Sequence, residues 1–436
     1  MGSRAPQIDL GGRPSPGTPP SVVLVDPGGT GSRFVEIFRE HGWATIAVNS
    51  SRSGPDFVVR FFRKKHYDEV LEFEDLRETL VERLSGRSVG AVVPVFETGV
   101  ELADWLADRL GVAGNGPALS ACRRHKGAMG DRLRACRIPC AGHVVTDDLD
   151  TLVEWARARD RWPVVVKPVA SAGSDHINIC HSVDELPAAF RSIVGTVDAI
   201  GNPNRELIAQ EFLSGQQYLI NSVSHDGQHR IAEIWRFDSS YEEGIHIYDK
   251  QELLEGTGDP QDSLVDYATR VLGALGIRYG AAHVEIMLTE RGPILIECAA
   301  RITGGINPGA SHAAVGHDHL TMTAEACLEP ERFLARPVTY TLRKRLGIVA
   351  LRSPVDGQVA PGAALDELLS LPTFSGSIPP VYVGARVTRT RSFMTSPGLV
   401  YLLADSMDDV LRDTAAIRRI EASGHLYAED PAGTRS

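Results

Sequence analysis

Residues 282–301 constrain this chain more than any other stretch. Two apolar runs, Ala281–Leu288 and Pro293–Ala299, flank Glu290, Arg291 and Gly292. A three-residue loop ending in glycine is a common way to join antiparallel strands, so the segment reads as a hairpin. Pairing Thr289 with Pro293 puts Glu285 directly opposite Glu297. Cross-strand Cβ atoms sit about 5 Å apart, and like charges there repel. Both glutamates stand among apolar residues, where an unpaired charge is costly. A hard divalent cation with oxygen ligands resolves the conflict; the alternative is two solvent-facing glutamates. A one-residue bulge would change this register. Arg301 follows four residues after Glu297, beside Gly304, Gly305 and Asn307. Its guanidinium suits a developing phosphate or oxyanion, or a structural ion pair.

The composition narrows the setting. A chain of 436 residues is expected to form about two to four domains. Its 45 Lys+Arg against 56 Asp+Glu, a net charge of −11, argue against a broad basic face for nucleic acid. With 43% hydrophobic and 23% charged residues it has ample material for globular cores. No apolar run approaches the roughly 18 residues of a membrane span. The N-terminus lacks the apolar segment of a secretory signal, and Pro6 stands where myristoylation wants Ser or Thr. Six cysteines without a C-x-x-C pair argue against a disulfide framework or zinc site. A reduced, cytoplasmic, unanchored protein is expected.

Along the chain, residues 1–20 read as a disordered tail rich in proline and glycine. Residues 21–116 alternate strands (21–25, 44–48, 90–95) with helices (33–41, 69–84, 100–110), the pattern of a Rossmann-like parallel unit. From 117 to 330 the pattern becomes α+β. A helix capped by Ser120 carries Lys126; strands follow at 164–167, 177–180, 207–212, 218–225 and 230–237, with a helix at 263–275 before the hairpin. Residues 331–436 form a last α+β block.

Four further motifs carry candidate chemistry. The turn Asp26–Ser32 is glycine-rich, but Phe34 stands where a dinucleotide fingerprint needs its third glycine. It is a phosphate-touching loop or simply a tight βα turn. In Pro163–Ser174 an apolar strand delivers Lys167 to a loop of small residues. Such a loop lets backbone amides wrap a triphosphate while Lys supplies a point charge, or it is an ordinary surface loop. In Ala209–Tyr218 a strand ends at Glu211, Phe212 and Leu213 and turns at Gly215, as a nucleotide-base hinge or a plain hairpin. His246, between hinge and hairpin, either touches substrate or phosphate or has no such role.

Taken in order, these segments resemble the ATP-grasp superfamily over roughly residues 20–310. Pro94–Val100, Gly114-Asn115, Arg124–Met129 and the Gly347–Glu421 region with Pro397–Val400 are similar to the L-amino-acid ligases, the dipeptide-forming carboxylate–amine ligases. The resemblance implies an ATP-grasp fold with a Rossmann-like N-terminal domain, central ATP-binding subdomains and a C-terminal α+β block completing the site. It implies that Lys126 and Lys167 hold the phosphates under Ser171, Gly173 and Ser174. Glu211, Phe212 and Leu213 would meet adenine, and Gln217 would stand at the ribose in place of the usual acid. Glu285 and Glu297 would bind Mg²⁺, with Mn²⁺ as an alternative, and Ala299 replaces an asparagine common in the superfamily. Arg301 would stabilise the acyl-phosphate and tetrahedral species. Glu97, His246, Gly304, Gly305 and Asn307 would serve the amino-acid substrates. The activity implied is ATP-dependent amide formation through an acyl phosphate, releasing ADP and phosphate, of dipeptide or γ-glutamyl type. The expected partners are small amino-acid substrates and a second copy in a homodimer, with neither nucleic acid nor membrane. The rival readings are a ligase of purine or carboxylase type, a Rossmann-type oxidoreductase using residues 22–48, and a nucleotide-binding regulator with a decayed site.

Overall fold

The computed structural model describes residues 19–50, 62–72, 77–171, 176–242, 245–305 and 307–430. The backbone divides into two compact units, Met1–Ser120 and Ala121–Ser436. Residues 1–18, most of the expected tail, lie outside the described residues.

In the first unit, β1 (Ser21–Val25), β2 (Ala44–Asn49), β3 (Glu69–Glu72) and β4 (Val89–Pro94) form a parallel sheet in the order β3-β2-β1-β4. Val23, Val25, Ile46 and Val48 pack against Leu80, Leu84, Leu102 and Leu106 of the covering helices. The expected helix over 69–84 is in fact two elements, β3 and the helix Arg77–Ser85. Glu69–Glu72 pairs with Ile46–Asn49 at the sheet edge, where charged side chains are normal and disguise a strand. At the glycine-rich turn, Asp26 adopts φ +52° and its carboxylate accepts bonds from the Ser50 backbone N–H and hydroxyl, 2.6 Å each. A Cβ on Gly31 would lie 1.8 Å from Val95 Cγ1, so close packing against the chain after β4 demands glycine there.

In the second unit, β5 (His143–Thr146), β6 (Val164–Pro168), β7 (Asn178–Cys180) and β8 (Leu207–Glu211) make an antiparallel sheet ordered β5-β8-β6-β7. Helices Leu149–Arg159 and Leu186–Ile193 cover it through Leu152, Ala156, Leu186 and Ile193. A larger sheet contains β9 (Gln216–His225), β10 (Gln228–Glu242), β11 (Ile245–Leu253), β12 (Gly280–Thr289) and β13 (Gly292–Ala299). Further along the chain come β14 (Arg345–Ala350), β15 (Gly357–Val359), β16 (Phe374–Ile378), β17 (Arg386–Val387), β18 (Leu399–Ala404) and β19 (Tyr427–Glu429). The large sheet runs β13-β12-β9-β10-β11-β14-β18-β16, so the C-terminal block continues the central sheet. β15, β17 and β19 form a small sheet of their own. Among the described residues, no helix is long and apolar enough to cross a membrane.

Two local expectations change. Ser120 does not cap the helix carrying Lys126; its hydroxyl donates to Asp104. That helix spans Lys126–Ala135, and His125 caps it by accepting from the Ala128 N–H at 3.1 Å. The β12–β13 turn has two residues, since Thr289 pairs with Gly292. A bulge beyond Ile286 shifts the ladder by one residue, and Glu285 still faces Glu297.

Candidate active site

A cleft in the second unit gathers side chains from the small sheet, the large sheet and the Lys126 helix. It is lined by Lys126, Lys167, Ser171, Glu211, Phe212, Leu213, Gln217, Glu285, Glu297 and Arg301, together with residues not singled out from the sequence. Ala141, Val165, Ile177, Met287 and Leu295 give it an apolar wall; Ser239, Tyr248 and His283 add polar groups.

Lys126 sits at the first turn of its helix, and its backbone N–H donates to Val169 O at 2.9 Å, tying the helix to the chain beyond β6. Its Nζ lies 3.1 Å from Glu297 Oε1. Lys167 is 7% exposed near the end of β6. Burial, reinforced by the Lys126 charge, pushes its pKa down to about 8 against the opposing pull of Glu297 and Glu285. Glu285 and Glu297 are each about a quarter exposed, at 26% and 25%. Burial raises the Glu285 carboxyl, but the His283 hydrogen bond and the charges of His283, Lys167 and Lys126 hold it net below the ordinary range. Gln217 Nε2 donates to Glu285 Oε2 at 3.1 Å. Arg301 donates from Nη1 to Ile302 O at 2.8 Å.

Glu211 is already engaged. Arg291 Nη2 lies 2.6 Å from Oε1 and Arg159 Nη2 2.8 Å from Oε2. Burial raises its carboxyl, and the two guanidinium groups outweigh that and hold it low. Its backbone N–H donates to Gly142 O at 2.9 Å.

The remaining expected site residues are placed differently. Gly304, Gly305 and Asn307 do not line this cleft. The Asn307 side chain accepts from the Ala310 N–H at 3.3 Å as the cap of helix Pro308–Val315, and donates to Ser375 O at 3.1 Å. Gly305 has φ +63° and its carbonyl accepts from the Tyr401 hydroxyl. Glu97 belongs to the first unit, buried in the turn before helix Val100–Leu110. His246 occupies β11 opposite Tyr241 of β10. Gly173 and Ser174 lie outside the described residues.

Three lining residues carried weak sequence signals. His283 is two residues before Glu285, hence on the same face of β12, and is found once the hairpin is phased. Tyr248 and Ser239 pair across β10–β11, and β11 falls in a mixed-polarity stretch that had not read as a strand. Tyr248 packs against Phe237 and Phe393, with ring centroids 4.8 and 5.0 Å away.

Residues 160–308 match the ATP-grasp domain family. Over 408 residues the chain is 30% identical to dapdiamide A synthase of Enterobacter agglomerans, covering 92% of this chain and 96% of that one. This is an ATP-grasp enzyme of the amino-acid ligase group. The L-arginine-specific L-amino acid ligase of Bacillus subtilis is 23% identical to this ligase over 239 residues, or 55% of this chain and 57% of that one. The crystal structure of the L-amino acid ligase from Bacillus licheniformis shares the ligase's fold, with a TM-score of 0.72 at 17% identity. That match spans 94% of this chain and 99% of the other.

Proposed function

We infer that this ligase activates an amino-acid carboxylate with ATP and joins it to the amine of a second amino acid. One observation carries the reading: two lysines, two facing glutamates and an arginine share one cleft beside an apolar wall. In the reaction a substrate carboxylate oxygen attacks the γ-phosphorus and the bond to ADP breaks. The amine then attacks the acyl carbon, phosphate leaves, and the nitrogen gives up a proton.

The donor set fits a hard divalent cation. Glu285 and Glu297 face each other with their carboxylate oxygens, and among the described residues Lys126 pairs with Glu297 at 3.1 Å. Mg²⁺ suits such a pair, and Mn²⁺ is a close substitute. When bound, the cation supplies positive charge to the phosphate oxygens. The protein's own groups do the rest. Lys126 and Lys167 bind phosphates as point charges, with Ser171 beside them. Phe212, Leu213 and the apolar wall receive the base, and Glu211 contributes through its backbone because its carboxylate is held by two arginines. Gln217 offers an amide to ribose hydroxyls. Arg301 stabilises the negative oxygen of the tetrahedral species. His246, Gly304, Gly305 and Asn307 do not line this cleft, and Glu97 belongs to the first unit, so none of them is given a role in the reaction.

The test is ATP turnover with Mg²⁺ against amino acids singly and in pairs, with products identified by mass spectrometry. ADP, phosphate and a condensed product are expected. AMP and pyrophosphate would mean adenylate chemistry and overturn the mechanism.

A further inference from the structure

Among the described residues Tyr248 is the cleft-lining side chain that β11 supplies, and the chemistry above makes no use of it. It pairs with Ser239 across β10–β11, and Phe237 lies two residues before Ser239 on the same face. Phe237 pairs in turn with Gln217, whose amide reaches Glu285, so Tyr248 stands on the face that carries the glutamates. β9 pairs with β10 as far as Phe237, and β14 pairs with β11 at Lys250–Glu252. Between these limits the ribbon of residues 239–242 and 245–249 has no third strand among the described residues. Two strands alone are marginally stable in water, so Tyr248 needs another support.

The C-terminal block supplies it at two consecutive residues. The Tyr248 ring packs edge-on against Phe237 and, with centroids 5.0 Å apart, against Phe393 of the turn Phe393–Thr395. Asp238 pairs with Lys250 and Ser239 with Tyr248, so a bulge leaves Asp249 outside the ladder. Asp249 is the residue the block grips. Arg418, on the helix Met407–Ala422, donates from Nη2 to Asp249 O at 2.9 Å and to Oδ1 at 2.7 Å. Arg352, just after β14, donates to the same Oδ1 at 2.9 Å. Glu421 closes the group, accepting from Arg418 Nη1 and from the Arg352 backbone N–H at 2.6 Å each. Two guanidinium groups thus meet two carboxylates, and the charge balances. Bulges beside active sites commonly re-aim a side chain, and this one sits next to Tyr248.

The place of Tyr248 in the cleft indicates what it meets. The apolar wall comes from the small-sheet side and from β12 and β13, as Ala141, Val165, Ile177, Met287 and Leu295. β11 lies on the other flank, with β9 and β10 between it and β12. A carboxylate attacking the γ-phosphorus in line approaches from the side opposite ADP. The rest of that substrate then extends away from the base wall, toward β11. We propose that Tyr248 is a specificity-determining residue that walls the site of the amino acid supplying the carbonyl of the new amide, and that Phe393, Arg352 and Arg418 position its ring. The proposal rests on the ligase reading above.

The experiment is steady-state ATP turnover with the amino-acid pair that gives the wild type the most condensed product. KM is measured separately for ATP and for the carbonyl-supplying amino acid. One methylene in an apolar pocket is worth about tenfold or more, so Tyr248→Ala should raise the amino-acid KM by at least about tenfold. The KM for ATP should stay at the wild-type value. Tyr248→Phe keeps the ring and should stay near the wild type in both. Arg418→Met cuts the hold on Asp249 outside the cleft. It should raise the same amino-acid KM by a smaller factor, and Arg418→Lys should recover part of the loss. A merely structural defect would lower the active fraction, and so kcat, without moving either KM. Phe393→Leu tests the same hold if Arg418→Met does not fold, and Tyr248→Leu likewise stands in for Tyr248→Ala. An unchanged amino-acid KM in Tyr248→Ala, or an equal rise in the KM for ATP, overturns the wall. A shift in Tyr248→Ala with none in Arg418→Met or Phe393→Leu overturns the positioning. In both cases the wild type still forms ADP and a condensed product, and the ligase reading stands. Wild-type AMP and pyrophosphate, or no condensed product with any pair, would refute that reading and this proposal with it.

Discussion

Raising the pH probes Lys167 directly. Its ammonium is buried beside Lys126, and its pKa is pushed down to about 8. A lysine with a depressed pKa is charged below that value and neutral above it. If Lys167 binds phosphate as an ammonium group, nucleotide affinity is complete near pH 7 and is lost as the pH rises through 8. The charged fraction in the free protein is about 0.9 at pH 7 and about 0.03 at pH 9.5, by simple titration. The association constant for ADP should therefore fall about 30-fold over that interval, provided the bound ammonium stays charged. Lys167→Arg carries a charge that does not titrate in this range, so its profile should be flat. Lys167→Met should be flat and weak throughout. Isothermal calorimetry of ADP binding in the absence of divalent cation reads all three. A wild-type slope no steeper than that of Lys167→Arg would refute the phosphate role of Lys167.

Three other outcomes are expected. Arg301→Lys keeps the charge but loses the fork, and should lower kcat by about 100-fold or more with little change in KM for ATP; an unchanged kcat would take Arg301 out of the reaction. Gly31→Ala should destabilise the first unit by about 1–3 kcal/mol through overpacking. Val95→Ala in the same chain should recover part of that in urea unfolding, whereas simple additivity would mean the clash is relieved elsewhere. His317 and His319 are pushed down to about 4 and about 3, chiefly by burial. Their folded pKa values lie below the unfolded one, so the unfolded chain binds the extra protons. Stability should then fall as the pH drops from about 6.5 toward 4, by up to about 1.4 kcal/mol per unit for each histidine. Urea midpoints measured across that range should show a shallower slope in His317→Gln than in the wild type.

What could be read from the sequence was what lies close together along it. From Val22 to Val25 β1 is an uninterrupted apolar run, and buried parallel strands look like that. Lys167 stands out because a strand of valines ends in a charge. β3 was hidden because an edge strand tolerates the glutamates that made it look helical. Glu211 shows a different limit. Its carboxylate is held by Arg159, more than fifty residues before it, and Arg291, eighty residues after it. Nothing near residue 211 announces either partner, so the two ion pairs that occupy its carboxylate were not legible there. The Glu285–Glu297 pair lies between these cases. A three-residue turn was expected; the structure has a two-residue turn and a bulge, and each alone would move Glu297 out of register with Glu285. Together they preserve the pairing. Local turn signals therefore constrain the register less than the side chains do. An apolar ladder with one carboxylate in each strand has its functional meaning only in the register that opposes them, and a bulge is a small distortion through which a sheet can keep that register.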